Sequence, residues 1–202
     1  MPSLLCMILA FFSLSVTATE LSRDFSDPST FDAVLNGEII VEDQLDTGTV
    51  FLSVVRAYFF RTHPREYVEL ITDHPRWPEL VKDFREGRTL DSNPEGTLFD
   101  WWLSMRVQFG LFHYEFFPTG RQTVKERLGE TTVHNLLDGG EMVKIAEQRT
   151  RLVPYQGGML LEDEIRVEIE SPSPFASAAK REVKNRLVEM TRGARSVLNA
   201  NP

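Results

Sequence analysis

The sequence predicts a single α+β domain in which a curved antiparallel sheet wraps one long C-terminal helix. Three observations carry that expectation. Apolar residues alternate strictly over residues 98–109 and again from Met159 to Ile169. Just past Phe60 the period changes from strand-like to helical. From Phe175 a stripe of apolar residues spaced three or four apart runs to about residue 199. A chain of 202 residues, 42% hydrophobic and 26% charged, suits one domain with a sizeable core.

Residues 1–18 carry no charge and hold an apolar run from Leu4 to Val16, followed by Val16-Thr17-Ala18. This fits a secretory signal cleaved after Ala18. The run is shorter than the roughly 20 residues that span a bilayer. A periplasmic or secreted location is the expectation. The sole cysteine, Cys6, lies inside this segment, so the processed chain is expected to have no disulfide, thiol nucleophile or thiolate metal site. Residues 19–36 form a lead-in: Asp27-Pro28-Ser29 is a helix-start signal, and a short helix over 29–35 and a tethered tail are equally open. The domain proper spans residues 37–199.

Within it, residues 38–45 and 50–60 flank Asp46-Thr47-Gly48 and predict a hairpin. His63-Pro64 begins a short helix carrying Tyr67, Leu70 and Ile71, stopped by Pro75. Trp77, Leu80, Val81 and Phe84 give a second short amphipathic turn from Pro78. Both pieces are too short to persist alone and need a sheet to pack on. Phe99, Trp101, Leu103, Met105, Val107 and Phe109 share one strand face; at Gly110 the parity shifts to Phe112, Tyr114 and Phe116, which suggests a bulge or bend. Residues 131–137 and 141–152 flank Asp138-Gly139-Gly140 as another hairpin, and Met159 to Ile169 is the clearest strand, interrupted on its apolar face by Asp163. Ser171-Pro172-Ser173-Pro174 caps the terminal helix, in which Gly193 costs roughly 1 kcal/mol relative to alanine.

This order of elements resembles the START-like superfamily, which includes polyketide cyclase and coenzyme Q-binding-like proteins. The resemblance rests on Ala57-Tyr58-Phe59 through His63-Pro64-Arg65-Glu66-Tyr67-Val68, on Leu70-Ile71-Thr72-Asp73 with Trp77-Pro78-Glu79-Leu80, and on Leu152-Val153-Pro154-Tyr155-Gln156-Gly157-Gly158-Met159-Leu160. It implies a helix-grip fold, with the sheet gripping the long helix around an apolar cavity, and hence a binding function. Such motifs describe a fold and name no reaction.

The inward faces then nominate Trp101, Met105, Phe109, Phe112, Tyr114, Met159, Leu161 and Met190 as the wall of a pocket for an apolar ligand: a lipid, an isoprenoid quinone or a polycyclic compound. A dry core is the competing reading of these residues. Asp163 has two readings as well, a carboxyl with a raised pKa that binds or protonates a ligand, or a partner of Arg149 or Arg151. Arg56 fits a structural ion pair better than a site. If the protein is instead an enzyme resembling the cyclases and aromatases, Asp163 and Tyr155 are the residues to suspect. His63, His74, His113 and His134 have no metal-ligand spacing; His63 reads as a cap and His74 as a loop residue. Gly139-Gly140 and Gly157-Gly158 read as turns rather than phosphate loops, so no metal or cofactor is expected.

A formal charge of −8 opposes general binding to nucleic acid. The charge is uneven. From Pro172 onward six cations face two carboxylates, a net +4 that leaves −12 elsewhere. The cationic helix face is either a plain solvated surface or the seat of weak contact with an anionic membrane.

Overall fold

The computed structural model describes residues 28–109, 112–127, 129–138, 143–169 and 176–200. The expected signal over residues 1–18, with Cys6, and the expected cap at Ser171-Pro172-Ser173-Pro174 lie outside the described residues. In chain order the elements are α1 (Pro28–Leu35), β1 (Ile40–Asp46), β2 (Val50–Phe60), α2 (Pro64–Thr72), a 3-10 turn (His74–Arg76), α3 (Trp77–Leu80), β3 (Phe84–Ser92), β4 (Leu98–Phe109), β5 (Phe112–Phe116), β6 (Thr119–Arg127), β7 (Glu130–Asp138), β8 (Val143–Tyr155), β9 (Gly158–Ile169) and α4 (Ala176–Ala200).

The strands form one antiparallel sheet in the order β1-β2-β9-β8-β7-β6-β4-β3, with β5 and β6 sharing the same edge of β4. Alternation determines which face each strand buries. One row of cross-strand partners runs Val55, Asp163, Thr150, Val133, Val124, and the next runs Ser53, Ile165, Gln148, Asn135, Gln122, Phe99. Both belong to the concave face. Ala57, Phe59, Trp101, Leu103, Leu152, Met159 and Leu161 join it in the main core with Tyr67, Leu70 and Ile71 of α2, Trp77 and Leu80 of α3, and Ala194 of α4. A second cluster closes Phe51, Val55, Ile165, Val167 and Ile169 under Leu187 of α4, with Val183 and Ala179 beside it. The concave face of the sheet therefore holds both α4 and the α2–α3 segment. On the convex face α1 sets Val34 against Val153 and Leu160.

The local chemistry explains the joints. His63 caps α2 by accepting from the Arg65 backbone N–H at Nδ1, while Glu66 accepts from the His63 N–H, so two otherwise unpaired helix-start groups are satisfied. Gln156 and Gly157, with φ of 42° and 77°, make the two-residue turn between β8 and β9 that a right-twisted hairpin favours. Arg56 is paired with Glu42 and, at 3.0 Å, with Glu162, the structural ion pair expected for it.

Four features differ from the sequence reading. Beyond Phe109 the apolar set Phe112, Tyr114 and Phe116 belongs to a separate strand paired antiparallel with β4, and Gly110, where a bulge or bend was expected, lies outside the described residues. Phe84 opens a strand rather than closing the α3 turn. Strands β3 and β6 were not legible, since β3 is exposed along most of its length and β6 turns Gln122 and Gly120 inward with Val124. His74 is no loop residue: it is fully buried between α2 and α3.

Candidate functional site

A line of polar side chains crosses the largely apolar concave face from β9 to β3. At one end Asp163 accepts hydrogen bonds from Gln148 Nε2 at 2.9 and 3.0 Å and from the Thr150 hydroxyl at 2.9 Å. The carboxyl is buried, and loss of water pushes its pKa up to about 6, against the opposing effect of those donors. Its partners are thus neutral. Arg149 and Arg151, the cations expected to pair with it, alternate to the convex side, where Arg151 meets Glu162 and Glu130. Tyr67 of α2 lies close enough to Asp163 that the carboxylate adds to the effect of burial in raising the phenol's pKa.

The line continues through Asn135, whose Nδ2 donates to Gln148 Oε1 at 3.4 Å. At the far end His74 Nε2 lies 3.2 Å from Gln122 Oε1, and its Nδ1 lies 2.7 Å from Thr89 Oγ1. Burial pulls the imidazole's pKa down to about 4, so it is neutral at pH 7. Around it stand Trp77, edge-on with centroids 4.8 Å apart, and Trp101, stacked at 6.2 Å; Trp77 donates its indole N–H to the Ile71 carbonyl at 2.9 Å.

This corner needs two missing side chains. A Cβ on Gly120 would lie 2.4 Å from Trp101 Cζ2, and one on Gly87 would lie 2.0 Å from the His74 carbonyl oxygen. Glycine here lets the indole lie flat on β6 and lets β3 press against the turn. Among the described residues, three buried polar atoms of this face have no hydrogen-bond partner: Trp101 Nε1, Gln122 Nε2 and Asn135 Oδ1.

Of the residues nominated from sequence, Trp101, Met159, Leu161 and Asp163 are buried on the concave face, and Met105 and Met190 are partly buried against it. Phe109 and Phe112 are backbone partners at the β4–β5 end. Tyr114 pairs with Val107 on the concave side yet stays 49% exposed, so this end of the face opens to solvent. Tyr155 must be set apart from the others. It sits on the convex face, edge-on to Phe31 at 5.7 Å, because β8 carries Val153 and Tyr155 outward and Thr150 and Leu152 inward. Sequence reasoning missed His74, Gln122, Asn135, Gln148, Thr150 and the role of Tyr67. Their one signal was the placement of uncharged polar residues between charged ones, as in Glu147-Gln148-Arg149-Thr150-Arg151.

Solved structures share this architecture. A STAR-related lipid transfer protein fragment from Xanthomonas axonopodis superposes with a TM-score of 0.65 at 14% identity, over 80% of this chain and 93% of that one. The fold is START-like. The same START-like architecture is found in the Zhui aromatase/cyclase from Streptomyces sp. R1128, with a TM-score of 0.63 at 8% identity over 74% of this chain and 94% of that one. A START superfamily protein from Mycobacterium smegmatis gives 0.55 at 14%, over 76% and 99%. No family model and no curated protein matches the sequence. At such identities the START-like neighbours speak for the fold alone.

Proposed function

We propose that this protein binds and carries an apolar small molecule, such as a lipid, an isoprenoid quinone or a polycyclic compound, on the gripped face of the sheet, without catalysis. The observation that supports this reading best is the open β4–β5 end. Tyr114 reaches solvent while its partner Val107 is buried, so an apolar molecule could pass from outside onto the Met105 and Trp101 side of the core. Flexible methionines at Met105 and Met190 suit a guest of variable shape. Neighbours named for lipid transfer fit the same reading. Carriage would take place in a periplasm or outside the cell, after cleavage behind Ala18.

Native mass spectrometry of protein purified from its own host is the test. The expected result is a chain beginning at Thr19 with a retained apolar adduct. Protein that is ligand-free and takes up nothing from a lipid extract would exclude carriage.

One observation favours a second reading, that of a cyclase-like or aromatase-like enzyme. Asp163, with its pKa pushed up to about 6 and Tyr67 nearby, can hold or release a proton near neutral pH. Tyr67 takes the place that sequence alone had given to Tyr155. For an enzyme, Asp163→Asn would abolish turnover of a polyketide-like probe and spare its uptake.

A further inference from the structure

We infer that the guest carries an uncharged hydroxyl group, and that Gln122, Asn135 and Trp101 receive it. The inference rests on the apolar-carrier reading above and deepens it by naming the ligand's polar group.

The directions of the hydrogen bonds follow from one end. Asp163 can only accept while ionised, so Gln148 must turn its NH2 toward Asp163 and its Oε1 toward Asn135. Asn135 donates to that oxygen, which leaves its own Oδ1 without a partner. From the other end, Gln122 offers Oε1 to His74 Nε2–H, and the Thr89 hydroxyl donates to Nδ1 of the neutral ring. Gln122 Nε2 is left over. Gln122 and Asn135 are directly paired across β6 and β7. Their side chains therefore rise from Cβ atoms ~5 Å apart, a donor on one and an acceptor on the other, yet they do not meet. The indole of Trp101 lies over Gly120, two residues along the same face from Gln122, and adds a second unsatisfied donor.

All three side chains are more than nine-tenths buried, with Trp101 at 2%, Gln122 at 0% and Asn135 at 6% exposure. Buried polar atoms left without partners are costly, so something that completes them is favoured. The unfilled set is two donors and one acceptor. A hydroxyl offers two lone pairs and one O–H, the complement of that set. A carbonyl or ether would leave Asn135 Oδ1 unsatisfied. A charged head group is unsuited, because His74, the ionisable side chain bonded to Gln122, is neutral and hydrogen-bonded on both ring nitrogens. With the hydroxyl in place, one continuous hydrogen-bonded line joins Thr89, His74, Gln122, the ligand, Asn135, Gln148 and Asp163.

Three probes with one hydrocarbon skeleton test this: pyrene, 1-methoxypyrene and 1-hydroxypyrene, titrated against the full chain at pH 7 by fluorescence. The expected result is binding of the hydroxyl form about tenfold or more tighter than either of the others. In Asn135→Leu, which removes only the acceptor of the ligand O–H, the preference for 1-hydroxypyrene over 1-methoxypyrene should fall to near unity. Equal affinity for the three probes would overturn the hydroxyl assignment and leave carriage standing. Binding of none, together with no apolar adduct in native mass spectrometry, would overturn carriage itself. A preference for 1-hydroxypyrene over 1-methoxypyrene that persists in a folded Asn135→Leu would also remove the assignment. The comparison of probes on the unmodified protein needs no variant, so it decides the matter even if Asn135→Leu fails to fold.

Discussion

Asp163 and His74 stand at opposite ends of one polar line and titrate in opposite senses. For Asp163 the folded pKa is raised from 3.8 to about 6, so the folded state binds the proton more tightly. Its contribution is fully present below pH 3.8 and is lost as pH rises through about 6, a cost on the order of 3 kcal/mol at neutral pH. For His74 the folded pKa falls from 6.5 to about 4, so stability is present above pH 6.5 and is lost as pH falls through about 4. Over the same interval the two trends offset. Asp163→Asn should therefore be more stable than the parent at pH 7.5, and the difference should vanish by pH 4, as read from urea midpoints across pH. His74→Gln should do the reverse on the acid side and retain its folded fraction better below pH 5. A variant Asp163→Asn that tracks the parent at every pH would mean that the carboxyl is not held in a dry site. Neither residue's environment was legible in the sequence. Asp163 stood out only as a charge on an apolar strand face, and His74, followed by proline, had the look of a loop.

At the scale of elements, what the sequence made plain was the segments whose core-facing residues are mostly apolar. Strands β4 and β9 and helix α4 alternate or repeat because their core-facing residues are mostly hydrocarbon, and β2 reads as a strand through an apolar run buried on both faces. Strand β6 escaped because its inward residues are Gly120, Gln122 and Val124, two of which carry no apolar signal. Edge strand β3 has little buried face at all. Helix propensity misleads in the same way at Gly193. Read locally, glycine there weakens α4, yet a Cβ at that position would lie 2.2 Å from the Leu80 carbonyl oxygen and 2.6 Å from the Leu80 Cα. Backbone cannot yield as a flexible side chain can, so α3 and α4 approach as closely as they do only because Gly193 is bare. Gly193→Ala should then cost about 1–3 kcal/mol from overpacking, rather than gain the ~1 kcal/mol that propensity alone predicts. Thermal denaturation followed by circular dichroism distinguishes the two by sign.

For the molecule as a whole, the cations of α4 serve mainly to fasten the helix. Lys180 pairs with Asp46, Lys184 with Asp43 at 2.7 Å, and Arg186 with Asp83 at 2.9 Å; Arg195 donates to the Gly37 and Tyr58 carbonyls. These contacts join the helix to β1, to the α3–β3 link and to β2, so the basic end of the sequence neutralises acidic parts of the same fold. Arg181 and Arg192 remain exposed, eleven residues apart and so on nearly one helical face. At up to ~1 kcal/mol per cation near an anionic bilayer, two of them favour anionic over neutral vesicles by at most ~30-fold. The acidic remainder of the surface reduces that further, and salt near 1 M, with a screening length of about 3 Å, should erase it. Vesicle co-sedimentation of the double variant Arg181→Gln, Arg192→Gln should show no residual preference for anionic lipid. Lys180→Gln with Lys184→Gln should keep whatever preference the parent has, and should instead lower the urea midpoint by loosening α4 from β1. Loss of vesicle binding in the lysine pair, with an unchanged midpoint, would place those lysines at the membrane and refute their role as fasteners.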